Sequence, residues 1–108
     1  MTGASQKAAH GETIVRIVVR GRVQGVGYRA FIQSQAQARG ITGWVRNRRN
    51  GDVEAILAGP AEAINALCEV CREGPPHAIV ETLEITPADR SAVTDLEAQD
   101  GFVTRPTF

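Results

Sequence analysis

From Thr13 onward, apolar and polar residues alternate: Val15, Ile17 and Val19 share one face, while Arg16 and Arg20 take the other, with Val18 between them. A period of two marks a strand with one buried face. Met1 to Glu12, rich in Ala, Gly, Ser and Gln, has no period and reads as a flexible tail on a domain spanning residues 13–108. The period then lengthens. Tyr28, Phe31, Ile32 and Ala36 recur at helical spacing, Gln33 and Gln37 fall on the wet side, and Gly40 closes a helix running to about Arg39. Ile41 to Arg48 and Asp52 to Ala58 are again strand-like. Asn50-Gly51 between them predicts a tight type I′ turn, with both central residues at positive φ, and so an antiparallel pair. Gly59-Pro60 opens a second helix, with Pro60 at its first position and Glu62 complementing the dipole. Its inner face holds Pro60, Ile64, Leu67 and Cys71, with Ala63 and Val70 beside them, until Gly74-Pro75-Pro76 stops it. Ala78 to Thr86 forms a fourth strand whose apolar parity changes between Val80 and Leu83, the mark of a bulge or a late start. Pro87 to Asp100 is polar and loop-like. Gly101 to Phe108 can add a last strand through Phe102 and Thr104, limited by Pro106 to an edge.

The order βαββαβ predicts an α+β sandwich of the ferredoxin-like kind, two helices on one face of a mostly antiparallel sheet. At 108 residues, 43% of them hydrophobic, the chain suffices for one domain with its own core. Twelve basic residues balance twelve acidic ones, so net charge draws it to neither nucleic acid nor membrane. Locally the balance fails: Arg16, Arg20, Arg22, Arg29, Arg46, Arg48 and Arg49 precede Asp52, with only Glu12 acidic before it. Such a half can favour a small anion, although the preferred reading of most of these arginines, Arg46, Arg48 and Arg49 included, is solvated strand charge. Cys68 and Cys71 sit near the end of a helix, where core packing explains them better than redox chemistry. They and the two histidines show no zinc-ligand spacing. No signal peptide or membrane-length apolar run is present, which suggests a cytoplasmic chain with reduced thiols.

Gly21-Arg22-Val23-Gln24-Gly25-Val26-Gly27-Tyr28-Arg29 joins the first strand to the first helix. Glycines let backbone N–H groups converge on a guest, and the helix start adds unpaired donors and a positive dipole end, so phosphate or carboxylate is the natural ligand. Gly25 to Ala30 also fits the dinucleotide pattern G-x-G-x-x-A. That fold needs a parallel second strand ending in an acidic residue, whereas this one ends in Asn47-Arg48-Arg49 and turns back. A P-loop lacks its Gly-Lys-Ser/Thr here. On spacing alone, a glycine-rich connection without a ligand stays open.

That segment, together with Gly43-Trp44-Val45-Arg46-Asn47, Asn50-Gly51 and Val53-Glu54-Ala55, resembles the two signature segments of the acylphosphatases. The resemblance runs from about Ile14 to Arg105 and departs at the long tail and at Pro106. It implies hydrolysis of a small-molecule acyl phosphate to a carboxylate and inorganic phosphate, with no cofactor and no metal. It further implies no nucleic-acid or membrane partner, and a monomer is expected. By the same resemblance, Val23, Gln24, Gly25, Val26, Gly27 and Tyr28 form the phosphate-binding loop, Arg29 clamps the phosphate and Asn47 positions the attacking water. The residue chemistry suits these roles: arginine forks two phosphate oxygens, and asparagine orients water without titrating. Asn47 shares strand parity with Val45, whereas Trp44 faces away and is structural. The rival reading is a non-catalytic anion- or RNA-binding module on the same sandwich, but strands 1 and 3 lack the aromatics that stack bases.

Overall fold

The computed structural model describes residues 12–93 and 101–108. The expected tail, apart from Glu12, and residues 94–100 of the expected loop lie outside them. The alternation from Thr13 builds β1 (Thr13–Arg22), whose Ile17 and Val19 are fully buried. The helical spacing builds α1 (Tyr28–Ala38), which buries Tyr28, Ile32 and Ala36. Its end is a paired cap: Ile41 N–H donates to Ala36 C=O and Gly40 N–H to Gln37 C=O, the two bonds of a Schellman motif. There follow β2 (Thr42–Asn47), β3 (Val53–Gly59), α2 (Ala61–Glu73) and β4 (Ile79–Pro87). A 3₁₀ turn (Arg90–Val93) and the short β5 (Phe102–Thr104) complete the described chain.

The sheet order is β4-β1-β3-β2-β5, antiparallel throughout except where β5 lies parallel to β2. This is the expected sandwich. Ile17 and Val19 of β1, Val45 of β2 and Val53, Ala55 and Leu57 of β3 pack with Tyr28 and Ile32 of α1 and Leu67 and Cys71 of α2 into one core. The opposite face is covered differently: Trp44, Ile56, Ala58 and Val93 form a second, smaller cluster beneath the 3₁₀ turn. Trp44 Nε1 donates to Ala92 C=O at 2.9 Å, so the indole is structural, as its parity suggested. Val93 lies in a stretch expected to be loop, and its full burial anchors the 3₁₀ turn Arg90–Val93 on the sheet.

Several local expectations change. The β2–β3 turn is not type I′, because among the described residues only His77 departs from negative φ without being glycine, so Asn50 does not. Gly51 N–H closes the turn on Arg48 C=O, Gly51 alone takes φ +99, and Arg48 N–H meets Asp52 C=O. This is the three-residue loop with a glycine bulge. Asn50 contributes through its side chain instead, accepting from Asp52 N–H at 3.0 Å. Pro60 is the N-cap of α2 rather than its first residue and is exposed, while Cys68 joins Ile64, Leu67 and Cys71 on the buried face. The parity change in β4 is a bulge: Arg20 faces Thr82 and Gly21 faces Val80, which leaves Glu81 unopposed. Glu12, counted with the tail, forms an ion pair with Arg90.

Candidate active site

Where β1 runs out, Gly25 and Gly27 turn the chain with φ +76 and +80. A Cβ at either position would meet nothing within 4 Å, so glycine is required there by backbone conformation and not by crowding. Gly27 caps α1, and the first helical bond runs from Phe31 N–H to its carbonyl. None of the backbone N–H groups from Gln24 to Ala30 donates to a described residue. The loop thus gathers unpaired donors at the positive end of a helix.

A cavity of about 260 Å³ opens on this turn, lined by Val23, Gly25, Gly27, Tyr28, Arg29, Ala30, Gln33, Asn47 and Thr104. The structure therefore brings together Arg29 and Asn47, which are 18 residues apart in sequence. Arg29 makes no hydrogen bond or ion pair with a described residue, and no acidic residue occupies the first turn of α1. Its charge opposes the helix dipole at a cost of roughly 0.3–1 kcal/mol, which an anion in the cavity would reverse. Asn47 projects from the end of β2, and its Oδ1 is buried without a hydrogen-bond partner. Such an acceptor costs about 1–3 kcal/mol unless a guest supplies a donor. The lining, among the described residues, holds no His, Cys, Asp or Glu. Among the described residues no three such side chains cluster as a metal site.

Two loop residues named from the sequence do not line the cavity. Gln24 turns away, its Nε2 donating to Arg48 C=O at 2.7 Å and to Asp52 C=O at 2.9 Å. It ties the loop to the hairpin that carries Asn47, with each bond contributing about 1 kcal/mol net. Val26 packs against the main core. Tyr28 lines the cavity but is anchored behind it, its hydroxyl donating to Cys71 C=O at 2.7 Å. Burial pushes the Tyr28 hydroxyl well above its ordinary range, with the Cys71 thiol adding to the shift. Cys71 is pushed up to about 12, again by burial first and by Cys68 second, and burial also raises Cys68. Both cysteines are free and buried, as core packing requires. Ala30, Gln33 and Thr104 were not singled out from the sequence. Gln33, half-buried, and Gln37, exposed as expected, both reach Phe102 C=O, a partner on a strand no local pattern links to the helix.

Arg16, Arg20, Arg46 and Arg48 gather on the opposite face. Glu54, with a side chain 4% exposed, lies 2.9 Å from Arg16, 2.9 Å from Arg46 and 3.8 Å from Arg48. Arg20 pairs with Asp52 and Glu84. Arg46 also sits over the Trp44 and Phe108 rings. Arg46 and Arg48, expected to be solvated, are thus paired charges, whereas Arg49 is exposed as expected. An RNA-binding sheet would bare aromatics on this face, whereas β1 and β3 have none and Trp44 is covered.

An acylphosphatase family model matches residues 15–102. The chain is similar to an acylphosphatase of Azorhizobium caulinodans, 56% identical over 65% of this chain and 75% of that protein. It is also similar to one of Rhodopseudomonas palustris, 50% identical over 89% of this chain and 98% of that one. The crystal structure of the Bacillus subtilis acylphosphatase superposes with a TM-score of 0.75 at 37% identity, covering 85% of this chain and 97% of that one.

Proposed function

The chain belongs to the acylphosphatase family, a hydrolase of small acyl phosphates, and we propose that it works by direct attack of a positioned water, without metal, on a phosphoryl group seated in the β1–α1 turn. The observation that carries this reading is the meeting of unpaired groups of complementary kind in one cavity: loop N–H donors and the Arg29 guanidinium on one side, the buried Asn47 Oδ1 acceptor on the other.

The donors match the equatorial phosphoryl oxygens, where charge spreads in a loose transition state. Arg29 forks two of those oxygens. Asn47 Oδ1 accepts a hydrogen from the water and aims its oxygen at phosphorus. The water oxygen forms the new P–O bond while the bond from phosphorus to the acyl oxygen breaks, its electron pair leaving on the carboxylate. Both water hydrogens end on dihydrogen phosphate, one of them after transfer to a phosphoryl oxygen. A carboxylate is a weak base and departs without a general acid, which agrees with the absence of His, Cys, Asp and Glu from the lining among the described residues. The proposed enzyme is a monomer and needs no cofactor or nucleic-acid partner. Among the described residues no helix is long and apolar enough to cross a membrane.

The test is phosphate release from acetyl or benzoyl phosphate in excess chelator. Undiminished turnover is expected. Absence of turnover, or turnover only after a divalent cation is restored, contradicts the proposal.

A further inference from the structure

Thr104 lines the cavity from β5, where it stands opposite Val45 in the parallel ladder with β2. Opposed residues share a face, so Thr104 lies on the side of Val45 and, one period along β2, of Asn47. Its hydroxyl is fixed in direction. Gln33 Nε2 donates to Phe102 C=O at 3.2 Å, and Gln33 Oε1 accepts from Thr104 Oγ1 at 2.8 Å. A backbone carbonyl only accepts, so the amide nitrogen of Gln33 has to face Phe102 and its oxygen has to face Thr104. The hydroxyl hydrogen of Thr104 is thereby committed to Gln33. What Oγ1 retains for the cavity is a lone pair.

A water in the cavity beside Asn47 and Thr104 would meet two acceptors, Thr104 Oγ1 and the unpartnered Asn47 Oδ1. Water has two hydrogens to donate. With both engaged, the feature it presents to the phosphoryl group is an oxygen lone pair, the part that attacks. In a loose transition state the nucleophile keeps both hydrogens until the new bond is nearly made, so two acceptors can hold it through the barrier.

We propose that Thr104 Oγ1 is a second acceptor for the attacking water, and that Gln33 is a positioning residue that locks the Thr104 hydroxyl in the accepting direction. This rests on the water-positioning role of Asn47. Neither residue takes a proton: the hydrogen that leaves the water goes to a phosphoryl oxygen, as above.

The test compares Thr104→Val, Thr104→Ser, Gln33→Leu and Asn47→Ala in steady-state hydrolysis of acetyl phosphate, with inorganic phosphate as competitive inhibitor. Valine keeps the shape and removes the acceptor. Thr104→Val should lower kcat by about 5–20-fold, the effect of one hydrogen bond in a transition state, with KM and phosphate inhibition within about twofold. Thr104→Ser should retain kcat within about twofold, and Gln33→Leu should lose about 2–5-fold, since the freed hydroxyl still accepts part of the time. A Thr104→Val enzyme at the wild-type rate overturns the proposal, and if Asn47→Ala is then still slow, the role of Asn47 survives. A Thr104→Val loss that appears equally in phosphate inhibition, or a serine variant no better than valine, also overturns it, because either makes Thr104 a wall and not an acceptor.

Discussion

Arg46 and Arg29 are the same residue type on opposite sides of one sheet. Arg46 lies 2.9 Å from Glu54 and over two aromatic rings, whereas Arg29 has no ion pair or hydrogen bond among the described residues. The carboxylates differ in step: Glu54 draws in three arginines on the face away from α1 and α2, while among the described residues the cavity on the helix side is lined by no carboxylate. Paired charges lower the energy of the free protein. Unpaired ones, kept beside a helix start and a buried amide oxygen, lower it only when an anion and a water arrive. On the proposed mechanism the difference separates stability from function by face, so that each side should break without the other.

Removing the guanidinium should produce the largest change. Arg29→Ala is expected to cut kcat/KM for acetyl phosphate by roughly 10³-fold or more, in the range of arginines that neutralise a transferring phosphoryl group. Inorganic phosphate should no longer raise the thermal midpoint of the variant, although it does so in the wild type. Without phosphate, chemical denaturation should show stability unchanged or raised by up to about 1 kcal/mol, as the unfavourable charge at the helix start is removed.

Asn47→Ala should come next. A loss of about 10²-fold in kcat is expected, with competitive phosphate inhibition within about threefold, and the two are read from one set of inhibition curves. Because Oδ1 is buried without a partner, stability should hold or rise slightly. A large loss of phosphate affinity would place Asn47 with the clamp and blur the distinction between clamp and water.

Glu54→Gln tests the opposite face. It should leave kcat within about twofold and lower stability by about 1–2 kcal/mol in urea unfolding, less than a fully buried pair because its arginines are partly exposed. Reduced turnover at unchanged stability would show that the two faces are coupled.

The smallest effect is a pH slope. Cys71 is raised in the fold from an ordinary 9.0 to about 12. Above pH 9 the unfolded chain ionises its thiol while the folded one does not. The stabilisation is therefore complete below about pH 9 and fades as pH rises toward 12. Urea midpoints measured from pH 7 to 11 should stay level and then fall, and Cys71→Ala should flatten the fall.

The strands, both helices and the glycine turn were legible because each rests on local pattern: period two, period 3.6, and glycines before a helix start, whereas Asn47 was singled out only through the resemblance of two segments to the acylphosphatases. Beyond the antiparallel β2–β3 pair, pairing across the sheet was not legible. Glu54 sits between Val53 and Ala55 without any local sign that Arg16, Arg46 and Arg48 would surround it. The Asn50-Gly51 turn misled because its side-chain bond to Asp52 and the bulge at Gly51 outweigh the usual preference of that dipeptide. Gln24 read as part of the loop, and so it is, but its side chain serves the hairpin. Thr104 and Gln33 enter the cavity only because β5 docks beside β2, a pairing between segments far apart in sequence.

The central claim is that the β1–α1 turn holds phosphorus for attack by a water held at Asn47. Hydrolysis of acetyl phosphate in ¹⁸O-labelled water with excess chelator tests it most directly. The expected result is one ¹⁸O in the inorganic phosphate and none in the acetate. Label in the acetate would place the attack on the acyl carbon and contradict it.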